Sequence, residues 1–243
     1  MSVTPEELSI ARTRGRERRA NTQVHGTPEG MDTQKRRGIS EPFSAISHMV
    51  GAALSIAALV ILIVLAHGRP LHIVSFAIYG ATLISLYTAS SLHHSIRHVK
   101  GLERLDHAMI YLLIAGSYTP ICLVVLRGAW GWSIFGVEWA LGITGLVLSL
   151  ALKHVPDWIR LVIYLAMGWL IVIAIVPLRA GVTAAEWHWL VAGGVTYTLG
   201  AFVFATDWPH LKPGKFHAHD LWHLFVLGGS LCHFVMMLLV VLH

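Results

Sequence analysis

Residues 43–66 read FSAISHMVGAALSIAALVILIVLA, twenty-four positions without an Asp, Glu, Lys or Arg. A hydrocarbon core about 30 Å thick is crossed by roughly 20 apolar residues in a helix, so this one stretch spans a membrane. Working outward, comparable runs recur at 71–93, 105–126, 132–152, 161–177, 189–205 and 218–242, the fifth and sixth being short. Only helices and closed barrels satisfy every backbone group inside lipid. The runs lack the alternation of a barrel strand, which predicts an all-α membrane protein with a seven-helix transmembrane bundle. Gly, Ala and Ser recur inside the runs, as expected where helices approach closely.

Composition agrees. Of 243 residues, 55% are hydrophobic and 13% charged, whereas a soluble domain carries about 25% charged residues. That excludes a soluble globular enzyme. Cys122 and Cys232 both lie within apolar runs, which excludes a secreted disulfide scaffold. The formal net charge is +5. In a membrane protein clustered cations record orientation and attraction to anionic headgroups, so no nucleic-acid partner is expected. Residues 1–40 hold eight of the 18 Lys and Arg and few large apolar residues. They read as a disordered basic tail, with the membrane domain at 41–243. The tail has no apolar signal stretch, and the first span is expected to serve as an uncleaved anchor. With seven spans, the tail and the loops near 94–104, 153–160 and 206–217 share one side. Fifteen of the Lys and Arg fall there, and Arg69, Arg127 and Arg179 opposite. The positive-inside rule then predicts a cytoplasmic N-terminus and an external C-terminus.

The chain has 16 histidines. His67, His72, His188 and His243 fall at outer or terminal positions. Others converge: His48 near the start of the first span, His93 and His94 closing the second, Asp106 and His107 opening the third, His217, His219 and His223 opening the seventh. All lie at the cytoplasmic ends. Ionisable groups at membrane depth are costly and mark functional candidates. His219 and His223 are an i,i+4 pair, which places both imidazoles on one helix face about 5–6 Å apart at Cβ. With His94 as a third imidazole and Asp106 to hold a water, the set suits catalytic zinc, which lowers the pKa of bound water to about 7. Ser90 lies one turn before His94, where its hydroxyl reaches that water or a substrate carbonyl. Two rivals stand beside this reading: haem, because paired helical histidines also ligate iron axially, and a metal-free histidine cluster at the interface.

Weaker candidates surround these. Glu41 and His48 share a face of the first helix and are placed at the cavity mouth. His233, ten residues after His223, reads as an inter-helix hydrogen bond. Glu138 is assigned interfacial exposure in the fourth span. The tryptophans flank the spans as membrane anchors.

The residues Glu41-Pro-Phe-Ser-Ala-Ile-Ser-His48, Ser90-Ser-Leu-His-His94, Leu105-Asp-His through Pro120, Tyr164-Leu-Ala-Met-Gly-Trp169 and His219-Asp-Leu-Trp-His through His233 together resemble the bacterial hemolysin III family. That family is a branch of the progestin and adipoQ receptors, which include the adiponectin receptors. The resemblance runs from about Glu41 to the C-terminus. It implies a bacterial inner-membrane location, seven helices, and a zinc site near the inner leaflet with His94, His219 and His223 as ligands and Asp106 acting through water. Two positions depart from the family's pattern. Ser44 stands where Asn is frequent, and His93 replaces an aromatic residue, so His93 and His94 compete as ligand.

The expected function is zinc-dependent hydrolysis of a lipid amide bond, with Asp106 as base, Ser90 assisting at the oxyanion, and an acyl-chain substrate drawn from membrane lipids. Two alternatives belong to other classes: a cytolysin that permeabilises membranes, and a sensor of lipid state without turnover.

Overall fold

The structure, a computed structural model, describes residues 41–96, 99–152, 154–209 and 216–243. The tail at 1–40 lies outside the described residues, as do Arg97, Lys153, Lys212 and Lys215 from the charge count. Seven helices are long and apolar enough to cross a membrane: α1 (Pro42–Leu65), α2 (Pro70–Ser95), α3 (Gly101–Leu126), α4 (Gly128–Ala151), α5 (Asp157–Gly181), α6 (Ala184–Thr206) and α7 (Ala218–Leu242). The described residues contain no strand.

Several helices begin before the apolar run read from the sequence. The fifth span, expected at 161–177, covers Asp157–Gly181, and the sixth, expected at 189–205, covers Ala184–Thr206. Polar first turns stay helical because backbone N–H and C=O groups near lipid still need partners. Local chemistry sets the starts. Pro42 and Pro70 occupy first-turn positions, where a missing N–H costs nothing. At α6, Glu186 N–H donates to Thr183 Oγ1 (3.3 Å) and Thr183 N–H donates to Glu186 Oε2 (2.7 Å), a reciprocal cap.

Sequence neighbours pack in pairs, α1 on α2, α2 on α3, α3 on α4 and α6 on α7, and α7 closes back on α1. Helix α3 is central: 72% of its apolar window is buried, against 17–22% for α1, α4 and α5. Large aliphatic side chains such as Leu54, Val64, Ile173 and Val176 face outward. Acyl chains solvate them as well as a protein core would, so helix association relies on close fit and hydrogen bonds. Gly116 shows that fit: a Cβ there would stand 2.1 Å from Thr82 Oγ1 of α2.

Two irregular turns interrupt the regular helices. After Pro120, α3 ends in a π-helical turn, Ile121–Leu126, and α5 passes through a 3-10 turn at Leu170–Ala174. The Tyr118 hydroxyl joins them. It lies 2.9 Å from the carbonyl oxygens of both Met167 and Gly168 and accepts the Ile171 N–H at 3.0 Å. It thereby satisfies backbone groups that the break in α5 would leave bare.

Two sequence expectations fail here. Glu138 is fully buried beside Tyr118 and Cys122, with neither carboxyl oxygen hydrogen-bonded among the described residues. The face of α4 that carries it packs on α3, where Gly142, one turn on, lies against Ala115. His233 lies between α6 and α7 but makes no hydrogen bond among the described residues, because the facing surface of α6 at Gly193 offers no side chain.

Tyr118→Phe removes the hydroxyl that stitches α5 to α3. Losing a buried hydrogen-bonding group costs about 1–3 kcal/mol, so the melting temperature in detergent is expected to fall by roughly 2–12 °C. A melting curve identical to the wild type would contradict this role.

Candidate metal centre

The site forms at one end of the bundle, where α1, α3 and α7 begin and α2 ends. Helix α7 is held there by Asp220, between the two histidines of its first turns. Its Oδ2 accepts the His217 N–H (2.8 Å) and its Oδ1 accepts the Ser44 hydroxyl of α1 (2.7 Å). Ser44 and Asp220 are both buried. The hydroxyl at Ser44 thus ties α1 to α7 at a position where the resemblance led us to expect an amide. With α7 fixed, His219 and His223 project from one face, ring centroids 4.8 Å apart and Nε2 atoms 3.0 Å apart.

His94, in the last turn of α2, arrives from the opposite side. Glu41, immediately before α1, holds it twice: the Glu41 N–H donates to the His94 carbonyl (3.2 Å), and the His94 Nδ1–H donates to Glu41 Oε2 (2.7 Å). That hydrogen bond draws the Glu41 carboxyl down to about 2, against the opposing effect of partial burial, so it is ionised at neutral pH. With Nδ1 engaged, His94 presents Nε2 alone. That atom is buried and has no hydrogen-bond partner among the described residues. It lies toward the rings of His219 and His223, whose centroids are 5.1 and 4.7 Å from its own.

Donor atoms of His94, His219 and His223 all lie within 4.8 Å of one another. Tetrahedral nitrogens 2.0–2.1 Å from a zinc ion would stand about 3.4 Å apart, so a small inward movement of one ring lets a single ion meet all three. A carboxylate accepting the far N–H of a ligating histidine is the usual support for such a site, and Glu41 has that place. Asp106 Oδ2 stands 3.8 Å from His94 Nε2, beyond direct hydrogen-bond reach, and Ser90 is buried one turn before His94. The residues present fit a metal ion.

His93 is half-buried, with its ring 4.7 Å from that of His94. It forms a second possible group with His94 and Asp106. His48 stacks on His223 at 3.9 Å and meets Tyr87 edge-on, with neither ring nitrogen bonded among the described residues.

A cavity of about 50 Å³ reaches Ser90, Asp106, His219 and His223. One further lining residue, Arg160, went unnoticed in the sequence, where it counted only as a loop cation. It belongs to the first turns of α5 and its side chain is largely covered. Its guanidinium bonds Asp157 and the His107 Nδ1 (2.9 Å), and the Tyr164 hydroxyl donates to the His107 carbonyl (2.8 Å). Asp220 was likewise missed, although it stood inside the quoted His-x-x-x-His motif. An Asp three residues after a helix start is the available signal for a cap.

Residues 37–234 match the family described as Haemolysin-III related. The chain belongs to that family. It is 43% identical over 205 residues to Hemolysin-3 of Bacillus cereus, covering 82% of this chain and 90% of that protein. It is 41% identical over 196 residues to the Hemolysin-3 homolog of Bacillus subtilis strain 168, covering 79% and 89%. A more distant relative is the ADIPOR-like receptor IZH2 of Saccharomyces cerevisiae, 27% identical over 195 residues, 67% of this chain and 57% of that one. This Haemolysin-III related chain is therefore an integral membrane protein with seven spans and a histidine and aspartate group able to hold a metal ion.

Glu41→Gln keeps the length of the side chain but removes the negative charge that faces His94 Nδ1. It is expected to weaken binding of a divalent metal by roughly 10- to 100-fold, measured by competition with a chelating dye on detergent-purified protein. An unchanged affinity would mean that His94 is not a ligand through Nε2.

Proposed function

We propose that this protein is a zinc-dependent hydrolase of a lipid amide bond. The observation that carries the reading is the bare, buried Nε2 of His94 lying toward the paired imidazoles of His219 and His223. A neutral donor set without thiolate suits zinc, and a catalytic zinc keeps a position free of protein ligands. His94, His219 and His223 would hold the ion; His93 is the alternative to His94, disfavoured by its greater exposure and by having no carboxylate hydrogen bond like that of Glu41 among the described residues.

When bound, zinc would polarise a substrate carbonyl and make water nucleophilic near neutral pH. The chain's residues supply the rest. Asp106, 3.8 Å from His94 Nε2, takes the proton of the attacking water at Oδ2 and returns it to the departing amine nitrogen. The Ser90 hydroxyl donates a hydrogen bond to the carbonyl oxygen as negative charge gathers there. Arg160, fixed by Asp157 and His107, offers a positive charge at the mouth for a polar headgroup.

The lipid class rests on a second cavity. A mostly apolar space of about 250 Å³ runs between α3, α5, α6 and α7. It shares Leu86, Ile110, Leu161, Tyr164, Trp222 and Val226 with the small cavity at the histidines. One acyl chain lying in it brings its carbonyl end to the site. The charge count favours an N-terminus in the cytoplasm, which sets the site toward the inner leaflet of a bacterial inner membrane. The cytolytic reading fits less well, because a pore wants polar groups through the whole thickness and an apolar cavity interrupts them here.

Three outcomes follow. His219→Ala is expected to lose its zinc, measured by elemental analysis of the purified variant, while its helical circular dichroism persists; a full zinc complement would refute the ligand assignment. Asp106→Asn is expected to keep zinc yet release fatty acid from a detergent-solubilised ceramide about 10²- to 10⁴-fold more slowly; an undiminished rate removes Asp106 from the chemistry. Alkaline phosphatase joined after His243 is expected to be active in intact cells, and an inactive fusion would reverse the orientation.

A further inference from the structure

Two sets of donor atoms meet at His94. One is the buried centre of His94, His219 and His223; the other is His93, His94 and Asp106, whose donors also lie within 4.8 Å of one another. The sets differ in access. His94 and His223 are 4% and 2% exposed, and His94 Nε2 and His223 Nδ1 are sealed from water. His93, by contrast, is only half-buried. The Asp106 side chain is 13% exposed and lines the small cavity. Negative charge gathers on the same open side. Glu41 and Glu103, both exposed, bring two more carboxylates within electrostatic reach of His93.

A divalent ion carries a tightly held water shell, and a bare charge inside an apolar bundle is strongly disfavoured. The penalty stays small only if each departing water is replaced by a protein ligand. His93 and Asp106 can replace the first waters at the mouth while the others remain. Mixed imidazole, carboxylate and water ligation suits an ion that is still partly hydrated. His94 is placed to carry the ion inward. Its Nδ1 is held by Glu41. Its Nε2 stands 3.8 Å from Asp106 Oδ2, while the ring centroids of His219 and His223 lie 5.1 and 4.7 Å from its own. An ion on that nitrogen can exchange His93 and Asp106 for the paired imidazoles one ligand at a time.

We propose that His93 and Asp106 form a loading site for a divalent cation, which His94 then hands to His219 and His223. The inference deepens the metal-centre reading above and rests on it. In this arrangement His93 touches the ion in transit and is not a ligand of the resident ion. A residue of that kind changes the rates of uptake and release by one common factor and leaves the equilibrium affinity alone.

Cobalt(II), a spectroscopic stand-in for zinc, is the probe, mixed by stopped flow with the metal-stripped full chain in detergent. The wild type is expected to take it up in two phases. The first depends on cobalt concentration and absorbs weakly, as an open, water-rich shell does. The second is independent of concentration and gains the intense visible bands of tetrahedral cobalt. His93→Phe keeps an aromatic ring and removes both nitrogens. It is expected to lose the first phase and to slow uptake and release alike by roughly tenfold, about 1.4 kcal/mol of barrier, at an unchanged Kd. His93→Asp supplies another metal ligand and is expected to restore the two phases. A single phase in the wild type, two ions bound per chain at equilibrium, or a weakened Kd in His93→Phe overturns the loading site and leaves the three-histidine centre standing. Failure of the wild type to bind cobalt or zinc overturns both.

Discussion

A bare imidazole nitrogen inside an apolar bundle is the constraint around which this molecule is arranged. Desolvating a polar group without a partner is expensive, and lipid offers no water to relieve it. Nε2 of His94 is in that condition, and the architecture around it works to keep it so. Glu41 occupies the other ring nitrogen, and the Ser44 hydroxyl holds Asp220 and the start of α7 in place. His219 and His223 are brought up opposite. In the function proposed above, a metal ion would give Nε2 of His94 the electron-pair acceptor it lacks.

The bundle places an apolar cavity beside that centre. Outward faces are aliphatic, and α5 is the helix least buried by its neighbours. The apolar cavity lies between α5 and the better packed α3, α6 and α7, and it shares a wall with the small cavity at the histidines. Tyr118 maintains the break in α5 along the cavity's edge. Packing, cavity and site are thus consequences of one topology: helices meet tightly on one side of α3 and loosely on the other.

The seven spans were legible because lipid imposes a blunt rule, some twenty apolar residues per crossing, which charge-free runs such as 43–66 satisfy openly. The histidines were legible for a related reason: ionisable residues are rare enough at membrane depth that their convergence stands out, and the i,i+4 spacing of His219 and His223 puts them on one face. What stayed hidden depended on partners contributed by distant helices. Arg160 looks like any loop cation until α3 brings His107 to its guanidinium. Glu138 looks interfacial until α3 covers it. His233 looks like a hydrogen-bonding residue until Gly193 turns out to face it with nothing. The cap that Asp220 provides could have been read locally, and its place inside a metal-binding spacing drew attention away from it.

The central claim is tested most directly by X-ray absorption at the zinc edge on protein purified from membranes without added metal. The account predicts bound zinc with a first coordination sphere of about four light ligands, three of them imidazole, at 2.0–2.1 Å. Zinc-free protein, a sulfur shell, or a sphere without histidine multiple scattering would contradict it.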